Sequence, residues 1–314
     1  MRAAGSRHVA VDASLTERFE AARPRLGALA YRMLGSVDDA QDAVQEAWLR
    51  LSADTGETIA NLDAWLTTVV ARICLNALRD RHARGREELV ARLPDPIVDA
   101  DGESDPEHRA LLADAVGLAL FVVLDTLPPA ERLAFVLHDV FAVPFDRIAP
   151  IVERTPEATR KLASRARRRI AEAHPVPDGD LGAQRDAVDA FFAAGRSGDF
   201  DRLVSVLHPD VVLRGDFGPH APAFRADGAA TVAKLARGYA APEREVRAAT
   251  VNGTAGAVIA VAGRPTAIMA FLVRGGRIAA IDVLADPERV ARVTDRQPAA
   301  APSPKPGTAP SRPG

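Results

Sequence analysis

The residues best suited to chemistry in this chain are charged, and most fall into three groups. Thr155 to Ile170, TPEATRKLASRARRRI, holds Arg160, Lys161, Arg165, Arg167, Arg168 and Arg169 against the single acid Glu157, in a chain whose net charge is only −2. Cationic side chains at this density suit a polyanion, with phosphate oxygens as acceptors. Because the overall charge is balanced, any such binding has to be local. Arg72, Asn76 and Arg79 stand at i, i+4 and i+7, with Arg81, Arg84 and Arg86 behind them, a second stripe suited to a nucleic-acid backbone. Asp38, Asp39, Asp42, Gln45 and Glu46 make an acidic surface suited to a basic partner. Each group also fits an ordinary solvated helix face. Later in the chain, His208, Asp216, His220, Tyr239 and Asp282 are acid–base candidates, but no spacing motif joins them. The lone Cys74 excludes an internal disulfide and a Cys-rich zinc site, and no metal or cofactor is expected.

Helices have to position the first three groups. At about 100° per residue, Ala158, Leu162, Ala166 and Ile170 share one arc, and Glu157, Arg160, Lys161, Ser164, Arg167 and Arg168 lie opposite. Thr155 is a good N-cap and Pro156 a good first helical residue. With FDRIAPIVERT just upstream this predicts a helix-turn-helix, although Glu153 and Arg154 stand where a turn glycine is usual and Pro150 falls inside the first helix. Val37, Ala40, Val44, Trp48 and Leu51 recur at helical spacing, and Ser36 with Asp39 resembles a capping box. A long helix is predicted from about Leu62; the spacing of Trp65 with Val69 and Ile73 suits core packing.

The predicted organisation is multidomain. Helices cover 15–90, an acidic Pro/Gly-rich linker covers 91–109 outside any core, and helices resume over 110–174. An α+β domain spans 183–294, with a strand at PDVVLRGD, a helix near Ala229 to Tyr239, and four β-rich runs turning at Asn252-Gly253 and Gly275-Gly276. The tail 296–314 is Ala, Pro and Ser without large apolar residues and is expected to be disordered. No run approaches the ~18 apolar residues of a spanning helix, and the N-terminus lacks a secretory apolar core. A cytoplasmic protein without a membrane partner is expected.

The combination is more specific than its parts. YRMLGSVDDAQDAVQEAWLRL followed by LDAWLTTVVARICLNALRDRHAR resembles region 2 of sigma factors, and LPPAERLAFVLHDVFAVPFDRIAPIVERTPEATRKLASRARRRI resembles region 4. Their order and close succession resemble the extracytoplasmic-function group (sigma-70 class, group 4). The extension resembles the SnoaL-like cone fold attached to one sigma subgroup. The fold implied is two all-α sigma domains, a region 2 helical bundle and a region 4 helix-turn-helix, plus a C-terminal α+β cone. The resemblance implies that Asp38, Asp39, Asp42, Gln45, Glu46 and Trp48 bind core RNA polymerase (β′ and β subunits). It implies that Asn61, Trp65, Arg72, Asn76, Arg79 and Arg81 handle the −10 element of promoter DNA. Thr155, Glu157, Arg160, Lys161, Ser164, Arg165, Arg167 and Arg168 would then handle the −35 element. Regulation would fall to Pro94, Asp95 and Pro96, in place of a Trp-Leu-Pro-Glu-Pro type motif, and to Asp216 within RGDFGPH, in place of an Asp-Gly-Gly-Gly-Lys type motif. A late Asn-Pro-Asp-Lys-Leu type motif corresponds to Asp286-Pro287-Glu288-Arg289-Val290.

Two other readings stay open, the second by way of the SnoaL-like resemblance. One is a ligand-sensing helix-turn-helix regulator acting without polymerase. The other is an isomerase or cyclase with a DNA-binding appendage, using an Asp or His in the cone. A small ligand in the cone has no residue pattern behind it, and a regulatory, non-enzymatic extension is the expectation.

Overall fold

The computed structural model describes residues 13–53, 59–84, 92–100, 108, 111–112, 117–222, 224–239 and 241–295. The tail 296–314 and residues 91, 101–107 and 109 of the expected linker lie outside them. Three helices come first, α1 (Ala13–Leu34), α2 (Val37–Ala53) and α3 (Leu62–Arg84). Gly35 ends α1 with φ +70, a conformation that suits glycine, and a Cβ there would sit 3.2 Å from Pro94. Ser36 Oγ accepts the Asp39 N–H at 3.3 Å, the forward half of the expected capping box. A short strand, β1 (Val98–Ala100), follows.

Next come α4 (Gly117–Asp125), α5 (Pro129–Phe135), which runs on into a π-helical turn Val136–Val140, then α6 (Phe145–Val152) and α7 (Pro156–Ala173). The turn between α6 and α7 needs no glycine, because Glu153 itself adopts the left-handed conformation at φ 59. Pro150 sits on the exposed side of α6. The packing face of α7 overlaps the expected one, since Ala166 is buried and Leu162 and Ile170 pack against the core. Thr159, Ala163 and Ala166 are buried, while Ala158, Leu162 and Ile170 are only partly covered. Thr159 tolerates burial because its hydroxyl donates to the Thr155 carbonyl at 2.9 Å.

The C-terminal part contains α8 (Leu181–Ser197), α9 (Phe200–Val206), β2 (Leu207–Asp216), β3 (Phe224–Asp227), α10 (Ala229–Tyr239), β4 (Arg244–Val251), β5 (Thr254–Val261), β6 (Arg264–Arg274), β7 (Arg277–Leu284) and α11 (Pro287–Thr294). Strand order is β1-β4-β5-β6-β7-β2-β3. Every pairing is antiparallel except β2 with β7. Asn252-Gly253, Ala262-Gly263 and Gly275-Gly276 all have positive φ, as tight hairpin turns require.

One sheet face packs on α8, α9 and α10 through Val188, Phe191, Leu203, Val232, Phe271 and Ile281. The other face shares a core with the N-terminal helices, joining Val251, Ile268 and Leu284 to Tyr31, Phe121 and Ile97. This corrects the expectation of a linker outside any core. Leu93, Ile97 and Val98 are buried, and β1 extends the sheet, with Val98 opposite Val251. Acidic, Pro-rich composition says nothing about an unpaired strand edge elsewhere, and the edge of β4 supplies the partner here.

Candidate functional site

A dense cluster of exposed charge lies on α7. Thr155 Oγ1 accepts the Ala158 N–H at 3.2 Å, so this residue caps the helix. Glu157, at the positive end of the helix, has its carboxyl held below the usual range by backbone and Thr155 hydrogen bonds. Arg160, Lys161, Ser164, Arg165, Arg167 and Arg168 are all exposed. The Arg160 guanidinium lies 5.4 Å from the centroid of the Phe145 ring, which stacks on His138 at 3.8 Å. Arg167 bonds Asp139 at 3.1 Å, and Arg165 and Arg169 approach Glu131 at 3.9 and 3.2 Å.

On α3, Arg72, Asn76 and Arg79 share an exposed face. Arg81 does not extend that stripe freely; it bonds the Leu34 carbonyl at 3.1 Å and Asp39 at 3.2 Å, tying α3 to the start of α2. Asn61 Oδ1 accepts the Ala64 N–H at 3.0 Å and caps α3. Trp65 packs against the core, as its spacing predicted. Part of the intervening loop, residues 54–58, lies outside the described residues.

On α2, Asp42 and Gln45 are exposed, and Glu46 pairs with Arg50 at 2.9 Å. Trp48 is a packing residue, its ring 4.8 Å from that of Phe19. Asp38 approaches Arg292 of α11 at 3.6 Å, so the C-terminal domain reaches the acidic helix itself.

The four expected regulatory residues converge, and Arg289, which carries no such role in the sequence reading, joins them. Its guanidinium donates to Asp95 at 2.6 Å, to Asp216 at 2.5 Å and to the Leu93 carbonyl. Asp216 also accepts the Leu93 N–H at 2.9 Å and the Gly218 N–H at 3.1 Å. Pro94 and Pro96 are buried on either side of Asp95. A Cβ on Gly218 would come within 2.8 Å of Asp286, the N-cap of α11, so the RGDFGPH segment packs against the late motif. A second junction lies nearby. The Tyr31 hydroxyl donates to the Asp95 carbonyl at 2.9 Å and accepts from Asn252 Nδ2 at 2.8 Å. Asn252 Oδ1 accepts the Ile97 N–H at 3.0 Å. Burial pushes the Tyr31 phenol above its ordinary range.

Two of the acid–base candidates, Asp216 and Asp282, share one face of the sheet. Side chains alternate along a strand, so Asp216 and Asp282 lie on the sheet face opposite Val211 and Ile281, which meet the helices. Asp282 is held by Arg214 at 2.5 and 3.1 Å, and Asp216 by Arg289. His208 accepts the Asp210 N–H at 3.2 Å, His220 is exposed, and Tyr239 ends α10. Between sheet and helices, the rings of Phe191, Phe192 and Phe271 meet edge to face at 5.5–5.8 Å.

Comparison with known proteins agrees with this arrangement. Residues 18–84 match the model of Sigma-70 region 2, and residues 118–170 that of Sigma-70, region 4. The chain is 38% identical over 297 residues to the ECF RNA polymerase sigma factor SigJ of Mycobacterium tuberculosis, covering 86% of this chain and 91% of that protein. It is 34% identical over 285 residues to the probable ECF RNA polymerase sigma factor SigI of the same species, covering 90% and 95%. The crystal structure of Mycobacterium tuberculosis SigJ superposes with a TM-score of 0.69 at 36% identity, covering 87% of this chain and 97% of that one. No helix among the described residues is long and apolar enough to cross a membrane. Two sigma regions in sequence, a shared α+β extension and full-length relatives place the chain in the extracytoplasmic-function family of RNA polymerase sigma factors.

Proposed function

We propose that this chain acts in the cytoplasm by binding core RNA polymerase, through its β′ and β subunits, with the acidic face of α2, and by directing it to promoters with α3 and α7. The observation that carries the reading is the pairing of a capped basic helix in a helix-turn-helix with an acidic α2 in one sigma-family chain. Arg72, Asn76 and Arg79 suit the −10 region and the exposed face of α7 the −35 region. The C-terminal domain is proposed to control this activity by holding residues 93–100, which lie between the two sigma regions and are bonded to Asp216, Asn252 and Arg289. Catalysis by the cone finds no support in Asp216 and Asp282, whose carboxylates are ion-paired. The test is transcription from a pool of random promoter sequences by core polymerase with the full chain. Transcripts from a defined subset of promoters are expected, and none from core polymerase alone. Failure to select any subset, with folded protein, would sink the reading.

A further inference from the structure

Taking α7 as the promoter-reading helix, we infer that Glu131 and Asp139 are positioning residues that hold Arg165, Arg167 and Arg169 away from DNA phosphates. The helix is then left with one reading ridge, Glu157, Lys161, Ser164 and Arg168. At about 100° per residue these four fall within one arc, directly opposite the buried Thr159, Ala163 and Ala166. The remaining cations sit on the two flanks. On one flank Arg165 and Arg169 lean on Glu131 of α5, at 3.9 and 3.2 Å. On the other, Arg167 bonds Asp139 of the π-helical turn at 3.1 Å, beside Arg160 on the Phe145 ring.

Glu131 is unusual in being buried, with its side chain 7% exposed, while both of its cationic neighbours are about half exposed. Its Oε2 has no hydrogen-bond partner among the described residues, and the 3.2 Å approach of Arg169 is an ion pair without hydrogen-bond geometry. If both arginines swung out to phosphates, a buried carboxylate would be left without a counter-charge, which is strongly disfavoured. The carboxylate therefore does two things. It keeps two guanidiniums from adding sequence-independent phosphate contacts, and it fixes the roll of α7, so that Lys161 and Ser164 face outward.

The experiment measures fluorescence anisotropy of a labelled random-sequence duplex of about 30 base pairs, titrated with full-length protein from 50 to 200 mM NaCl. Each added phosphate contact steepens the log–log salt slope by about 0.9. Glu131→Gln keeps the shape of the side chain and frees two arginines, so its slope should steepen by about 1 to 2. Asp139→Asn, at a more accessible site, should steepen it by about 1. Arg168→Ala should flatten it by about 1. A slope no steeper than that of the unsubstituted chain in both carboxylate variants overturns the inference, including the case in which neither binds. If Arg168→Ala still flattens the slope in that case, α7 remains the DNA-binding helix and only the positioning role falls. A carboxylate serving folding alone would lower the melting midpoint and leave the slope where it was.

Discussion

Arg289 joins three parts of the chain that lie far apart in sequence. Its side chain is 6% exposed and its partner Asp95 is 194 positions away. Burial by itself would lower the pKa of the guanidinium, but Asp95 and Asp216 outweigh it and hold the group above its ordinary value. Removing the cation leaves two shielded carboxylates facing each other; breaking a buried pair in this way costs about 3–5 kcal/mol. Arg289→Met should therefore lower the melting midpoint by several degrees and speed tryptic cutting after the exposed Arg92 as residues 93–97 loosen. Arg289→Lys should recover only part of this, because a point charge cannot fork between two carboxylates and a carbonyl. Unchanged melting and cutting in Arg289→Met would show that the cluster contributes nothing. Asp95 and Asp216 were visible in the sequence as fragments of motifs. Arg289 was visible only as a residue of a divergent late motif, since nothing local to it points to a carboxylate 73 or 194 positions away.

At the scale of elements, the β4–β5 hairpin does more than turn the chain. Asn252 adopts φ 50 at its tip, and its backbone and side chain both bond Ile97 while its amide reaches Tyr31. Asn252→Gly keeps the turn, since glycine accepts positive φ, but leaves the Ile97 N–H and the Tyr31 hydroxyl short of partners in a dry site. Each unsatisfied group costs about 1–3 kcal/mol. Faster amide exchange over residues 97–100 is expected in this variant, with the β5–β6 and β6–β7 pairs unaffected; uniform exchange across the sheet would contradict it. The hairpins themselves were legible, because Asn-Gly and Gly-Gly flanked by β-branched runs specify tight turns. The Ala262-Gly263 turn was not, because alanine at φ 49 carries no sequence signal for the left-handed region. Neither was β1, whose three residues become a strand only because β4 offers an edge. The face of α7 was legible in part: Leu162, Ala166 and Ile170 pack as their spacing predicted, while the burial of Thr159 and Ala163 was missed because a threonine and an alanine give little apolar signal.

For the whole molecule, the proposed reach to two promoter elements sets a length. Elements named −10 and −35 are centred about 25 base pairs apart, which at ~3.4 Å per pair is roughly 85 Å of duplex. A compact fold of this chain length would have a radius of gyration of about 20 Å. Here the two sigma regions share one core, and the fully buried Arg132 of α5 donates to the Arg32 carbonyl of α1 at 3.1 and 3.0 Å. On the proposed function, with α3 on one element and α7 on the other, this closed arrangement is too short for both, and the region 2–region 4 contact is predicted to open on the promoter. The sheet face now covered by these helices opposes that opening, because separation would expose Tyr31, Phe121 and Ile268 to water. Dyes placed through Gln41→Cys on α2 and Glu172→Cys on α7, both exposed positions, would report the separation. Native Cys74 is buried, and burial pushes its thiol up to about 12, so it resists labelling. High energy transfer is expected in the free chain and its loss in the complex with core polymerase and promoter DNA. A chain ended at His174 should reach the low-transfer state at lower polymerase concentration, since no sheet competes for the same apolar surface. High transfer persisting in complexes that make RNA would show that the closed arrangement is itself the active one.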